Sequence, residues 1–335
     1  MANALNAYAC YNTDKNIRLS SSSGAVFSSL AEYVIDQQGI VYGVAMSEDC
    51  YSAEFIYITR KDDLAKLRGS KYLQAKVGNA YTSAKKNLTS GKLVLFSGTG
   101  CQINGLKSFL SKDYSNLICV DIICHGTPSP ALWRKYVKWQ EQQNAGKLKY
   151  INFRCKDRSW MNYGMKEIYE SISDKSTKNI YISKDKNAYM YMFLKDYCLR
   201  PSCYECSSKK VKMSDLTIAD FWGINDVKPE MNDEMGTSLV LIRTAKGKDI
   251  FEQVKKNMKV KEVSYEDSVK GNPSEFRSCT RPIQRDMFFD DMYSMNFEEL
   301  EKKYTISENV ELKSMVKQKI KNRIKRICKI KDDEV

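Results

Sequence analysis

Two stretches decide the fold: KLVLFSGTGCQ at residues 92–102 and LICVDIICHG at residues 117–126. Each opens on a short apolar run that reads as a strand. Each run stops at glycine and cysteine, and helical spacing follows, over 102–110 after the first and 131–143 after the second, where Pro128 and Pro130 introduce the helix. Strand, reactive loop, helix, twice over, predicts an α/β fold with a mainly parallel central sheet and flanking helices. Ligands of such sheets bind at the carboxyl ends of the strands, where both cysteine loops fall.

Outward from this pair, a small-residue loop at 20–24 (SSSSG) precedes a helix over 25–38, a strand over 39–45, a neighbouring strand over 53–59 and a short helix over 62–67. Towards the C-terminus, 151–154 and 167–171 read as strands of an irregular α+β region, 188–197 as a helix, and 214–219 and 238–243 as further strands. Beyond Phe289 the sequence turns charged and helical. Leu312, Val316, Ile320, Ile324, Ile327 and Ile330 then form one stripe on an otherwise cationic segment, which predicts a C-terminal basic amphipathic helix.

The 335 residues are 42% hydrophobic and 11% aromatic, enough for a real core and incompatible with global disorder. No apolar run approaches the roughly 20 residues of a bilayer span, and residues 1–11 lack the basic-then-apolar order of a signal peptide. A cytoplasmic protein is expected. Net charge is +13, but nine of the nineteen residues from 313 to 331 are Lys or Arg and none is acidic. The body is therefore only mildly basic, which argues against a nucleic-acid partner, while the 312–331 helix suits an anionic membrane surface or a solvated or partner-bound role equally.

Eleven cysteines accompany a single histidine, His125, so any metal site must be mostly thiolate. Cys203 and Cys206 form a C-x-x-C preceded by Cys198, and Cys101 and Cys124 sit at the two strand–loop junctions. A thioredoxin-type C-x-x-C opens a helix directly after a strand; this one follows Arg200, Pro201 and Ser202, so metal ligation is the better account. Four thiolates leave an iron–sulfur cluster or tetrahedral zinc, although zinc sites normally pair two nearby knuckles and no second knuckle exists here; ordinary buried thiols are the plain alternative.

Ser22, Ser23 and Gly24 open a helix, which suits a phosphate, although Ser23 would serve equally as a simple N-cap. Lys71, beside Ser70, either meets phosphate or is solvated. Asp220, in Ala219-Asp220-Phe221-Trp222-Gly223, ends a strand either as core and turn or as the wall of a flat cofactor's pocket. His125 is either structural or a proton shuttle.

Taken in order, the Ser/Gly loop, Gly69-Ser70-Lys71-Tyr72, Gly98-Thr99-Gly100-Cys101-Gln102, the stretch from Asp121 to Pro130, Cys198 through Cys206, and residues 219–223 resemble the coenzyme F420 hydrogenase/dehydrogenase beta-subunit family over about residues 7 to 290. The resemblance implies an iron–sulfur flavoprotein oxidoreductase that couples two-electron chemistry at FAD to one-electron transfer through a [4Fe-4S] cluster. It implies Cys101, Cys124, Cys203 and Cys206 as cluster ligands, with Cys198 as a substitute. Ser22, Ser23, Gly24, Ser70, Lys71 and Thr99 are the implied flavin contacts; Asp220 joins them on the reading of its own strand end, and His125 as proton donor and Lys71 as flavin-phosphate contact are the catalytic groups expected from their positions. It also divides the chain into 1–90 with the flavin loop, 91–290 with the cluster cysteines, and a charged helical tail, 291–335.

Two departures stand out: Ala25 replaces a frequent second glycine, and Gly100 a frequent proline. Many relatives begin with a ferredoxin-like segment that this sequence lacks, so electrons are expected from a separate ferredoxin-like protein or a reduced cofactor. Bacterial relatives often accompany cell-surface polysaccharide synthesis, and the tail would allow peripheral attachment at the inner membrane face. The rival expectations are a zinc-stabilised module binding nucleic acid or a membrane surface, and a non-catalytic electron-carrier partner.

Overall fold

The computed structural model describes residues 4–306. Among these described residues, twelve strands form two sheets: β1 (Asn6–Asn12), β2 (Ile40–Met46), β3 (Ala53–Ile58), β4 (Ala75–Lys76), β5 (Val94–Thr99), β6 (Leu117–Ile122), β7 (Gly146–Cys155), β8 (Gly164–Ser171), β9 (Thr177–Ser183), β10 (Leu216–Asp220), β11 (Ser238–Ile242) and β12 (Met258–Val263). The large sheet has the order β12-β1-β11-β10-β6-β5-β2-β3-β4. Its heart, β10, β6, β5 and β2, is parallel as expected. Antiparallel strands β11, β1 and β12 extend one side, and β3 with the short β4 the other.

The apolar runs of β5 and β6 are buried on both faces. Leu95, Ile118 and Val120 point into a core shared with Val26, Leu30 and Val34 of the helix Val26–Asp36. The alternate residues Val94, Phe96, Leu117 and Cys119 point into the opposite core, with Ala84 and Leu88 of the helix Ala80–Thr89 and Ile103, Leu106 and Leu110 of the helix Gly100–Leu110. Period-two side chains packed against helices on both sides explain why these strands carry no polar stripe.

The region expected to be irregular is a regular antiparallel meander, β7-β8-β9. Two register shifts in β7, between Leu148 and Tyr150 and between Asn152 and Cys155, break the alternation that would reveal a strand. The helices Pro130–Gln143 and Ala188–Leu194 pack on it through Trp133, Tyr136, Tyr189 and Phe193. The second helix stops short of residue 197 because Asp196 takes a left-handed conformation (φ 64°).

After Phe289 the chain is helical to the end of the described residues, and Phe288, Met292, Phe297 and Leu300 join the same aromatic core. The basic helix expected over 312–331 lies outside the described residues. Among the described residues, no helix is long and apolar enough to cross a membrane.

Candidate functional site

A cavity of about 500 Å³ opens at the carboxyl edge of the parallel strands. Its wall takes Ser97 to Thr99 from the end of β5, Ile122 to Pro128 after β6, and Ile218 to Asp220 from the end of β10. Ser22, Ser23, Ser70, Lys71, Thr99, Asp220, Cys124 and His125, scattered along the sequence, all line it.

The small-residue loop reaches the wall through a chain of short contacts. Ser70 N–H donates to Ser22 Oγ at 2.9 Å, and the two hydroxyls lie 3.1 Å apart. Ser23 Oγ donates to Thr237 O at 2.8 Å. From behind, Lys156 Nζ donates to the carbonyls of Arg18 (2.6 Å), Ser23 (3.1 Å) and Met235 (2.8 Å), holding the loop to its neighbours. Lys71 Nζ donates to Arg68 O at 2.7 Å and Lys66 O at 3.1 Å, and burial pulls its pKa down to about 7. An anion in the cavity would relieve that penalty.

Gly24 packs against two neighbouring strands. It is not among the lining residues: its N–H donates to Ser238 Oγ at 2.9 Å, and an added Cβ would lie 2.4 Å from Cys10 O. Its smallness lets the loop press onto β1 and β11, a backbone requirement of its own between the lining residues Ser23 and Ala25. Ala25 has φ 68° at the N-cap of the helix Val26–Asp36, the left-handed conformation that glycine adopts most readily.

Beside the cavity, four cysteines converge. Cys101 lies in the first turn of the helix Gly100–Leu110, behind an N-cap at Thr99 whose N–H donates to Gln102 Oε1 at 2.9 Å. The Gly100 position is tight, since a Cβ there would come within 3.1 Å of both Asp121 Oδ2 and Ser208 Cβ. Asp121, the acid within the apolar β6, is satisfied by the hydroxyls of Ser214 (2.8 Å) and Thr217 (2.5 Å). The loop carrying Cys124 is stitched to the C-x-x-C segment by the bridge between Pro128 and Leu199, by Arg200 N–H to Thr127 O (2.9 Å) and by Ser129 N–H to Cys198 O (2.9 Å).

Burial pushes the Cys124 thiol up to about 12; Lys209 opposes this, and the charges of Cys101, Cys203 and Cys206 add to it. Burial likewise raises Cys203, opposed by the Thr127 N–H and reinforced by Cys101 and Cys206. Four thiolates this close repel one another, and a bound cationic centre reverses that logic. Three of the sulfurs already have hydrogen-bond partners: Cys203 accepts from Thr127 N–H (3.4 Å), Cys206 Sγ lies 2.9 Å from Ser208 Oγ, and Cys101 Sγ 3.2 Å from Thr99 Oγ1.

Among the described residues, the group of three metal-capable side chains with ligand atoms within 4.8 Å of one another is His125, Asp196 and Cys279, not any three of these four cysteines. Thiolates around a single zinc ion, each about 2.3 Å from the metal, would sit roughly 3.8 Å apart.

Cys198 is placed differently: fully buried among Trp133, Tyr136 and Met192, it lies in the aromatic core. His125 Nε2 is 2.6 Å from Asp196 Oδ1, and its ring meets Phe193 edge-on. Residues that sequence reasoning passed over also gather here. Cys279 Sγ donates to His125 O, and Lys209 Nζ bonds the carbonyls of Cys124 and Ser274. Arg154 and Tyr72 line the cavity. The available signal was the pair Arg154 and Lys156 flanking Cys155 where β7 ends, two cations that are both buried.

Two family models match the chain, the N-terminal and the C-terminal regions of the coenzyme F420 hydrogenase/dehydrogenase beta subunit, over residues 7–81 and 91–268. The chain belongs to the coenzyme F420 hydrogenase/dehydrogenase beta-subunit family. Its two matched regions share one sheet, since β1 from the first pairs with β11 and β12 from the second. Among solved structures, the chain is similar to one from the F420-reducing [NiFe] hydrogenase complex of Methanosarcina barkeri, with 15% identity, a TM-score of 0.50, and coverage of 78% of this chain and 83% of that one. That likeness is one of fold. No curated protein matches the chain.

Proposed function

We propose that the chain is an iron–sulfur flavoprotein oxidoreductase in which Cys101, Cys124, Cys203 and Cys206 hold a [4Fe-4S] cluster and the adjoining cavity holds FAD. The observation that carries this reading is the convergence of four cysteines from three separate segments beside a cavity whose wall includes one of them, Cys124. The donor set is all sulfur, as iron–sulfur clusters require. A multi-iron centre, in which each thiolate binds its own iron, would use all four. Once bound, the pair of groups would supply two-electron exchange with a substrate and one-electron exchange with a partner.

The chain's own residues bind, orient and tune. Ser22, Ser70 and Lys71 offer two hydroxyls and an ammonium to phosphate oxygens. The partners of Cys101, Cys203 and Cys206 stabilise negative charge on sulfur and would raise the reduction potential of a cluster held there. His125, oriented by Asp196 on the cavity wall, can hold a proton at Nε2 or exchange it with that carboxylate. Family membership and the likeness to a chain of a hydrogenase complex support a protein partner as donor or acceptor of single electrons.

The test is anaerobic spectroscopy of the purified full chain. Flavin bands over a broad shoulder at about 400 nm, both bleached by dithionite, are expected. A colourless protein carrying zinc would overturn the reading.

A further inference from the structure

The cavity wall carries a cation that neither the serine loop nor the cysteines explain. Arg154, from β7, is only 3% exposed and lines the cavity. Its Nη1 pairs with Asp220 Oδ2 at 2.9 Å, while Nε and Nη2 are buried without a hydrogen-bond partner among the described residues. The guanidinium carbon lies 4.1 Å from the Tyr163 ring centre and 5.1 Å from that of Trp222, which stacks on Trp160 at 5.1 Å and 5°. Asp220 is itself held, its Oδ1 accepting from Trp160 Nε1 at 2.9 Å.

The guanidinium is thus fixed by aromatic rings, by Asp220 at Nη1 and by the neighbouring Tyr72 hydroxyl. A buried N–H left unpaired carries a desolvation penalty, and here two adjacent ones carry it with almost no surface of their own, so that a guest reaches them by displacing the Tyr72 hydroxyl that covers the guanidinium. Nε and Nη2 are the parallel donors with which arginine grips two oxygens of a carboxylate or phosphate side-on. The surrounding field favours such a guest, since Arg68 and Lys71 also line the cavity and the acid there, Asp220, already has its partner.

We propose that Arg154 is a ligand-binding residue of this cavity, its Nε–Nη2 edge gripping two oxygens of one phosphate or carboxylate group, with Asp220, Tyr163 and Trp222 as positioning residues. The anionic group has two sources: the diphosphate of the flavin, or an acid group on the two-electron substrate. The first deepens the flavoprotein reading and rests on it; the second needs only the cavity.

The experiment is calorimetric titration of the full chain and of its Arg154→Lys and Arg154→Gln variants with FAD, riboflavin, pyrophosphate and oxalate. Lysine keeps the charge but loses the fork, so an affinity loss of about tenfold or more is expected for the gripped anion. Loss for FAD and pyrophosphate, with riboflavin and oxalate spared, assigns the grip to the cofactor. Loss for oxalate, with both flavins spared, assigns it to the substrate.

Circular dichroism reports folding, and if Arg154→Gln fails to fold, the lysine variant decides. Folded variants that bind all four probes within about twofold of the parent overturn the proposal, as does a parent chain that binds none of them. A parent that binds pyrophosphate or oxalate but no FAD would sink the flavoprotein reading and leave Arg154 as an anion site.

Discussion

Replacing Gly24 with alanine separates a cofactor contact from a packing requirement. The new Cβ would lie 2.4 Å from Cys10 O and 2.8 Å from Ser238 N, inside the 3.0 Å limit below which such contacts are essentially never found. Both obstacles are backbone atoms, and Cys10 and Ser238 are themselves paired across β1 and β11, so neither can yield alone. Relief must come from the loop. Moving it breaks Gly24 N–H to Ser238 Oγ (2.9 Å) and Asn12 N–H to Gly24 O (2.8 Å).

Two hydrogen bonds at about 1 kcal/mol each, with overpacking at about 1–3 kcal/mol, give a destabilisation of about 3–5 kcal/mol. In a chain of this size that corresponds to a melting temperature lower by roughly 4–7 °C. The assay is denaturant and thermal unfolding of flavin-free protein, followed by FAD titration. A Gly24→Ala protein as stable as the parent that nevertheless loses FAD would refute the packing argument and restore Gly24 as a cofactor contact.

Other substitutions probe the same account. Ala25→Gly should be tolerated, while Ala25→Val, which forces a β-branched residue into the left-handed region, should cost about 2 kcal/mol by chemical denaturation. Cys203→Ser should lose iron and visible absorbance; Cys198→Ser should retain both and instead lose about 1–3 kcal/mol of stability, because it buries a hydroxyl in the aromatic core. Lys71 titrates at about 7 in the folded chain, below its unfolded value, so the unfolded chain binds the extra proton above that pH. Stability of the flavin-free protein should therefore rise with pH from about 7 to 10, FAD affinity should fall over the same range, and Lys71→Met should flatten both trends.

Much of this was legible in the sequence because buried parallel strands must be apolar on both faces, and β5 and β6 announce themselves by lacking alternation. Strand ends read from that pattern alone put Thr99 and Cys124 at one edge of the sheet, and both line the cavity there. The harder elements hid for identifiable reasons. In β1, small alanines do the packing at positions 7 and 9, so an internal strand of the sheet carries little hydrophobic signal. In β7, bulges erase the period that would have revealed Arg154 facing a cavity. For Gly24 the sequence leaves two roles open, because a glycine that admits a ligand and one that admits a neighbouring strand are identical in sequence; the contact at Cys10 adds the packing role.

The most direct measurement is the content of the anaerobically purified chain. The account predicts about four iron and four acid-labile sulfide atoms with one FAD per chain, all the iron lost when any one of Cys101, Cys124, Cys203 or Cys206 becomes serine. One zinc ion per chain and no flavin would contradict it.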